Sequence, residues 1–150
     1  MSKIIVVYYS HTGNTEEMAK AIAEGAKTIQ GVEVELKRHI SPWRLVDFDA
    51  ILIGAPTYHH NMTDNIKRFL EEVAFHNINL KEKIGAAFGS YGWSGEAPRM
   101  VIEIMENKFG MIALKPPLLI KYTPDAKDLE ECNKLGKNVA EQALDKSRNE

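Results

Sequence analysis

Between Ser10 and Thr15 the chain reads Ser-His-Thr-Gly-Asn-Thr, hydroxyl and amide donors around one glycine, with no lysine or arginine. The run before it, Ile4–Tyr9, is apolar, and a helical pattern starts at once with Thr-Glu-Glu-Met-Ala-Lys. A buried strand, a tight loop and a helix start follow one another. Such a junction aims free backbone N–H groups and the positive end of a helix at one point, which makes it an anion site. Ser10, Thr12, Asn14 and Thr15 add side-chain donors, Gly13 lets the backbone come close, and His11 reads as solvated. A triphosphate with magnesium normally recruits a lysine, so this neutral loop suits a lone phosphate monoester. The competing reading is a capped helix start and nothing more, because Asn14-x-x-Glu17 has capping-box spacing.

Two further stretches are rich in flat side chains. One is Pro56-Thr57-Tyr58-His59-His60-Asn61; the other is Tyr91-Gly92-Trp93-Ser94-Gly95-Glu96, directly after Ser90. Aromatic groups from two neighbouring loops can flank a planar ring from opposite sides. A phosphate at the first loop and a ring between the other two describe a mononucleotide cofactor, and flavin mononucleotide (FMN) fits both halves. His59 and His60 are adjacent, so an extended loop points them opposite ways and at most one faces the ring.

The elements that must position these loops alternate strand and helix. Strands are expected at Ile4–Tyr9, Val32–Lys37, Ala50–Ala55, Ile84–Ser90 and Leu118–Tyr122; the first, third and fourth are nearly continuous apolar or small-residue runs, as strands covered on both faces require. Helical stripes run through Met18, Ile22, Ala26 and Ile29, through Ile66, Phe69, Leu70 and Val73, and through Ala97, Val101, Ile104 and Met105. A last helix is expected from Thr123 as N-cap with Pro124 at N1, its stripe including Leu129, Cys132, Gly136, Val139 and Ala143, and the tail after Leu144 reads as frayed. Ser41–Asp47 is a short helix or an irregular crossover. The pattern predicts one α/β domain over residues 1–150, a doubly wound five-stranded parallel sheet in the order 2-1-3-4-5. Its crevice lies at the carboxyl ends of strands one and three, so the three unusual loops fall at one end of the sheet.

Composition narrows the function classes. The chain is 44% hydrophobic and 27% charged with a net charge of −2, so no polybasic surface argues for nucleic acid. One cysteine, Cys132, excludes an internal disulfide and fits a reducing cytosol; it lies on an apolar stripe and reads as packed. No signal segment and no run of membrane-spanning length is visible, and a cytoplasmic protein is expected. No His/Asp/Glu set has metal-ligand spacing. A Walker loop is missing, and Gly89, Gly92 and Gly95 follow strand four rather than strand one, which argues against a dinucleotide fingerprint.

The loop SHTGNT resembles the [ST]-x-T-G-x-T phosphate loop of flavodoxins. The run GSYGWSGEAPRM, Gly89 to Met100, is similar to the third flavin loop of short-chain flavodoxins. The longer stretch Lys83 to Ala97 is closer still to the flavodoxin domain of flavodiiron proteins (A-type flavoproteins). The similarity runs the length of the chain, with no insertion splitting strand five. It implies an FMN-dependent electron carrier. By this resemblance Ser10, Thr12, Asn14 and Thr15 bind the phosphate with Gly13 giving room. Trp93 stacks on the outer face, Thr57–Asn61 border the inner face, and backbone around Ser90, Tyr91 and Gly92 meets the pyrimidine edge. Pro56, His11 and Gly95 complete the loops. The implied partners are redox proteins docking transiently near the flavin edge, with the chain a monomer or weak dimer. Two alternatives stay open: an FMN-dependent NAD(P)H:quinone-type reductase, and a flavin-binding subunit of a separately encoded diiron oxidase.

The second loop departs from the family by having no glycine. A left-handed backbone there costs more at His59 or His60 and less at Asn61, so a weakly stabilised one-electron-reduced flavin is expected. Typical flavodoxins also carry a strongly acidic surface, whereas this chain is nearly neutral and sets two histidines in the flavin loop. A protonated histidine there favours the reduced flavin anion. The potential is therefore expected to be less negative and to bend with pH in the histidine range, about 6 to 8. Potentiometry showing only the slope of flavin itself across that range would remove the idea.

Overall fold

The computed structural model describes residues 1–149. Its elements, in chain order, are β1 (Ser2–Tyr8), α1 (Asn14–Lys27), β2 (Val32–Lys37), a 3-10 helix (Pro42–Asp47) and β3 (Ala50–Gly54). There follow β4 (Thr57–Tyr58), β5 (Asn61–Met62), α2 (Asp64–Phe75), β6 (Ile84–Tyr91) and α3 (Glu96–Glu103), which continues in a π turn (Ile104–Lys108). The chain ends with β7 (Ile112–Ala113), β8 (Leu118–Lys121) and α4 (Ala126–Arg148).

The central sheet runs β2-β1-β3-β6, every neighbour parallel, with β7 and β8 both pairing β6. This is the doubly wound flavodoxin-like α/β arrangement, with one refinement. The fifth place is shared: β7 pairs Ile84 and Gly85 at the start of β6, and β8 pairs Phe88–Tyr91 at its end. β7 is two residues long, too short for a periodic pattern to reveal.

Two apolar clusters sit on the two faces of the sheet. Alternation along β1 sends Ile5 and Val7 to one, with α2, α3 and Phe48, and Ile4, Val6 and Tyr8 to the other, with α1 and α4. Most of these side chains have no exposed surface, and each buried large apolar group contributes about 1.5–3 kcal/mol. Cys132 is packed in the second cluster, and burial pushes its thiol up to about 12.

Two helix boundaries differ from expectation. α4 is capped by Asp125, not Thr123: Asp125 Oδ1 accepts from the Asp128 N–H at 2.8 Å, and Asp128 Oδ2 accepts from the Asp125 N–H at 3.0 Å. This reciprocal box satisfies two donors where Thr123 would satisfy one, and it leaves Pro124 before the cap. α4 also continues through Leu144 to Arg148, carried by the packing of Ala140 and Ala143. Ile29 lies just past the end of α1 yet packs on the same cluster as Met18 and Ile22.

α1 and α4 cross with two glycines at the contact. A Cβ on Gly136 would land on the carbonyl oxygen of Ile22, and one on Gly25 would land on that of Asn133. Alanine is the better helix former by about 1 kcal/mol, so both glycines serve close approach. Gly136→Ala is expected to destabilise the fold by about 1–3 kcal/mol net, as overpacking does, read as a lower midpoint in urea unfolding.

Candidate functional site

The carboxyl ends of β1, β3 and β6 carry the three loops picked out by composition. α1 starts with Gly13 as N-cap at φ 92°, a left-handed backbone that glycine adopts freely. No side chain caps this helix, so the Asn14–Glu17 box does not form. Instead Ser10 Oγ accepts from the Gly13 N–H at 3.0 Å, which folds the loop back and leaves the first-turn N–H groups of α1 uncapped. A cleft of about 200 Å³ opens beside them, lined by Thr12, Asn14, Pro56, Thr57, Tyr58, Ser90, Tyr91, Gly92 and Tyr122. Uncapped N–H groups and neutral donors at one end, three tyrosines along the walls, and no opposing carboxylate in the lining make a pocket for a phosphate joined to a flat ring.

Thr15 lies behind the cleft rather than in it. Its side chain is buried, with Oγ1 3.1 Å from Ser90 Oγ and accepting from the Ser90 N–H at 3.3 Å. It joins the start of α1 to the end of β6. Beside it in the first turn of α1, Glu16 accepts from the Tyr8 hydroxyl at 2.8 Å; burial first, and then that contact, raise the Tyr8 phenol.

The second loop is a hairpin and not an extended segment. β4 and β5 pair Thr57 with Met62 and Tyr58 with Asn61, leaving His59 and His60 as a two-residue turn at φ 51° and 62°. This corrects the expectation that the histidines point to opposite sides of an extended strand. Two-residue hairpin turns favour positive φ at both central positions, normally at Asn-Gly; here two histidines adopt it. The left-handed geometry is already held at His59 and His60, so its cost no longer supports a weakly stabilised one-electron-reduced flavin. The hairpin is fastened to the third loop: Thr57 Oγ1 accepts from the Ala97 N–H at 2.9 Å, capping α3 from a distant segment.

The remaining residues divide between two hollows flanking the hairpin. Thr57, His59, His60, Trp93 and Ser94 line one, of about 270 Å³. His11, Tyr58, His59 and Asn61 line the other with residues of α2. His11 is not simply solvated, because its ring meets the edge of Tyr58 at 5.2 Å. Trp93 is 88% exposed. Gly95 stands at the N-cap of α3, against Leu119 and Tyr91, and is not among the residues that line the cleft.

A family model of flavodoxin matches residues 6–136 of the chain. The chain belongs to the flavodoxin family. Membership makes it an FMN-binding chain. A solved flavodoxin from the domain Archaea is 40% identical and superposes with a TM-score of 0.88, over 95% of this chain and 99% of that one. Flavodoxin 1 of Bacillus cereus is 29% identical at a TM-score of 0.83, over 93% and 98% of the two chains. The type A flavoprotein fprA of Rhodobacter capsulatus is 35% identical over 144 residues, 92% of this chain and 32% of that protein. The chain spans about a third of the length of the curated relatives it matches.

Three residues of this flavodoxin's site escaped the sequence reading. Tyr122 follows β8 and lines the cleft beside Gly92, where a Cβ would lie 3.4 Å from its ring, an ordinary van der Waals contact. The crevice rule could have found it had the loop after the fifth strand been included. Ser94 and Glu96 contact His60 through a turn that no local pattern announces. His59→Gly is expected to stabilise the protein by about 0.5–1 kcal/mol, since relief of left-handed strain outweighs the entropy glycine adds to the unfolded chain. Urea unfolding of the cofactor-free protein checks it.

Proposed function

We propose that residues 1–150 act as one unit, a cytosolic flavodoxin that carries electrons between separate redox proteins and holds FMN across the cleft. The observation that carries this reading is the uncapped start of α1 opening onto a tyrosine-walled pocket. When bound, FMN supplies the one- and two-electron chemistry. The chain's own residues bind and orient it. First-turn N–H groups of α1, with Thr12 and Asn14, hold the phosphate without a charged partner. Ser10 shapes the loop by binding Gly13, and Thr15 and Ser90 set the spacing between phosphate end and ring end. Tyr58, Tyr91 and Tyr122 border the ring, and backbone at Ser90–Gly92 meets its polar edge. Trp93, His59 and His60 stand at the exposed side, where a partner would dock through a small interface, below about 1,200 Å².

A second reading is an FMN-dependent reductase that passes electrons from a nicotinamide donor to a small acceptor such as a quinone. The exposure of Trp93 favours it, because the hollow beside His59 and His60 stays open to a substrate. Steady turnover of donor and quinone by the protein alone would select it over the carrier.

Titrating the apoprotein with FMN and with riboflavin, following flavin fluorescence, tests the shared premise. FMN is expected to bind at least about a hundredfold tighter, since riboflavin forgoes several charge-assisted hydrogen bonds of about 1.5 kcal/mol or more each. Asn14→Ala is expected to weaken FMN about tenfold and leave riboflavin unchanged. Equal binding of the two flavins would remove the phosphate loop from the site, and no binding of FMN would sink the reading.

A further inference from the structure

Three side chains at the edge of the site close a triangle between the two loops that border the ring. His60 Nδ1 lies 2.9 Å from Ser94 Oγ and 3.2 Å from Glu96 Oε2. The Ser94 hydroxyl donates to Glu96 Oε2 at 2.8 Å. A hydroxyl has one hydrogen, and an ionised carboxylate has none. With the serine hydrogen given to Glu96, both oxygens facing His60 can only accept. His60 Nδ1 must therefore carry a hydrogen, shared between them. In the neutral ring this leaves Nε2 as a lone-pair acceptor, without a partner among the described residues. The Glu96 carboxyl is held below its ordinary range, first by Ser94 and then by His60, as an ionised acceptor requires.

The triangle is exposed, with 66% of the His60 side chain and 33% of the Glu96 side chain accessible. Exposed ion pairs contribute little to stability, so its effect is geometric. The hairpin already has one tie to α3, from Thr57 to Ala97. The contact at His60 adds a second, at the tip of the strained turn. Two ties remove the rotation that one allows.

We propose that Ser94 and Glu96 are positioning residues for the flavin site: they fix His60 in its Nδ1–H form and fasten the β4–β5 turn to the start of α3. The two loops then close on the cofactor as one body, with His60 Nε2 offered as an acceptor rather than a donor. The last step rests on the reading that the cleft holds FMN; the tautomer does not.

Long-range nitrogen-15 NMR of the histidine rings, at a pH where they are neutral, reads the tautomer in the apoprotein. FMN titration of the same samples reads closure. Wild-type His60 is expected as Nδ1–H. Glu96→Ala is expected to release it to the Nε2–H form and to weaken FMN about three- to tenfold. Glu96→Gln, whose amide oxygen still accepts, is expected to restore both. A wild-type ring mainly in the Nε2–H form overturns the proposal, as does FMN affinity in Glu96→Ala within about twofold of wild type. Failure of the wild type to bind FMN at all would overturn the closure step together with the proposed function, and the apoprotein tautomer would then decide the clamp on its own.

Discussion

The contact between Thr15 and Ser90 sets the scale of the site. Two hydroxyls 75 residues apart in sequence meet at 3.1 Å inside the protein. One belongs to the first turn of α1 and the other to the end of β6. A hydrogen bond of this kind contributes about 1 kcal/mol net, but leaving either group buried and unpaired costs more than that. The pair therefore tolerates little slack, and it fixes how far the start of α1 stands from the end of β6 beside the cleft. The parallel register of β1, β3 and β6 brings the two segments near each other; the hydroxyl pair decides the final distance.

Around that spacer the loops obey different physics. The first loop gets its shape from one glycine and one serine, and it presents the uncapped first-turn N–H groups of α1 with no charged side chain of its own. The second is a hairpin held in an unfavourable conformation, and strain of this sort persists only where the surroundings over-determine it. Thr57 and His60 supply that restraint from within the hairpin, and the start of α3 receives it. The third loop thus does two jobs: its backbone borders the cleft and its side chains hold the neighbouring loop in place.

The sheet, its order and the helical faces were legible because continuous apolar runs and clean 3.6-residue stripes leave few alternatives. Ile4–Tyr9 and the stripe Ile66, Phe69, Leu70 and Val73 are examples, and all of these residues are buried. The cleft was legible for a related reason: a topological rule fixes where such loops gather, and their composition marked them. What the sequence hid is long-range or too short to be periodic. Nothing local in Tyr58-His59-His60-Asn61 announces a left-handed turn at two histidines, because the favoured residues of that turn are different ones. The fastening of that turn by Ser94 and Glu96 appears only when segments 36 residues apart are brought together. β7 is too short to show alternation, and the Asp125–Asp128 box was masked by the more conspicuous Thr-Pro before it.

The interlock of α1 with α4 also bears on how the protein is made. Gly25 meets Asn133, and Gly136 meets Ile22, so the two helices can seat only after a span of more than about a hundred residues has closed, which is slow to nucleate. During synthesis the face of the sheet carrying Ile4, Val6 and Leu52 has α1 over part of it and nothing in α4's place until Gly136 has left the ribosome. The nascent chain thus passes through a stage with an apolar strip along strands already made. The two glycines that let the finished helices touch also make the final docking step intolerant of error.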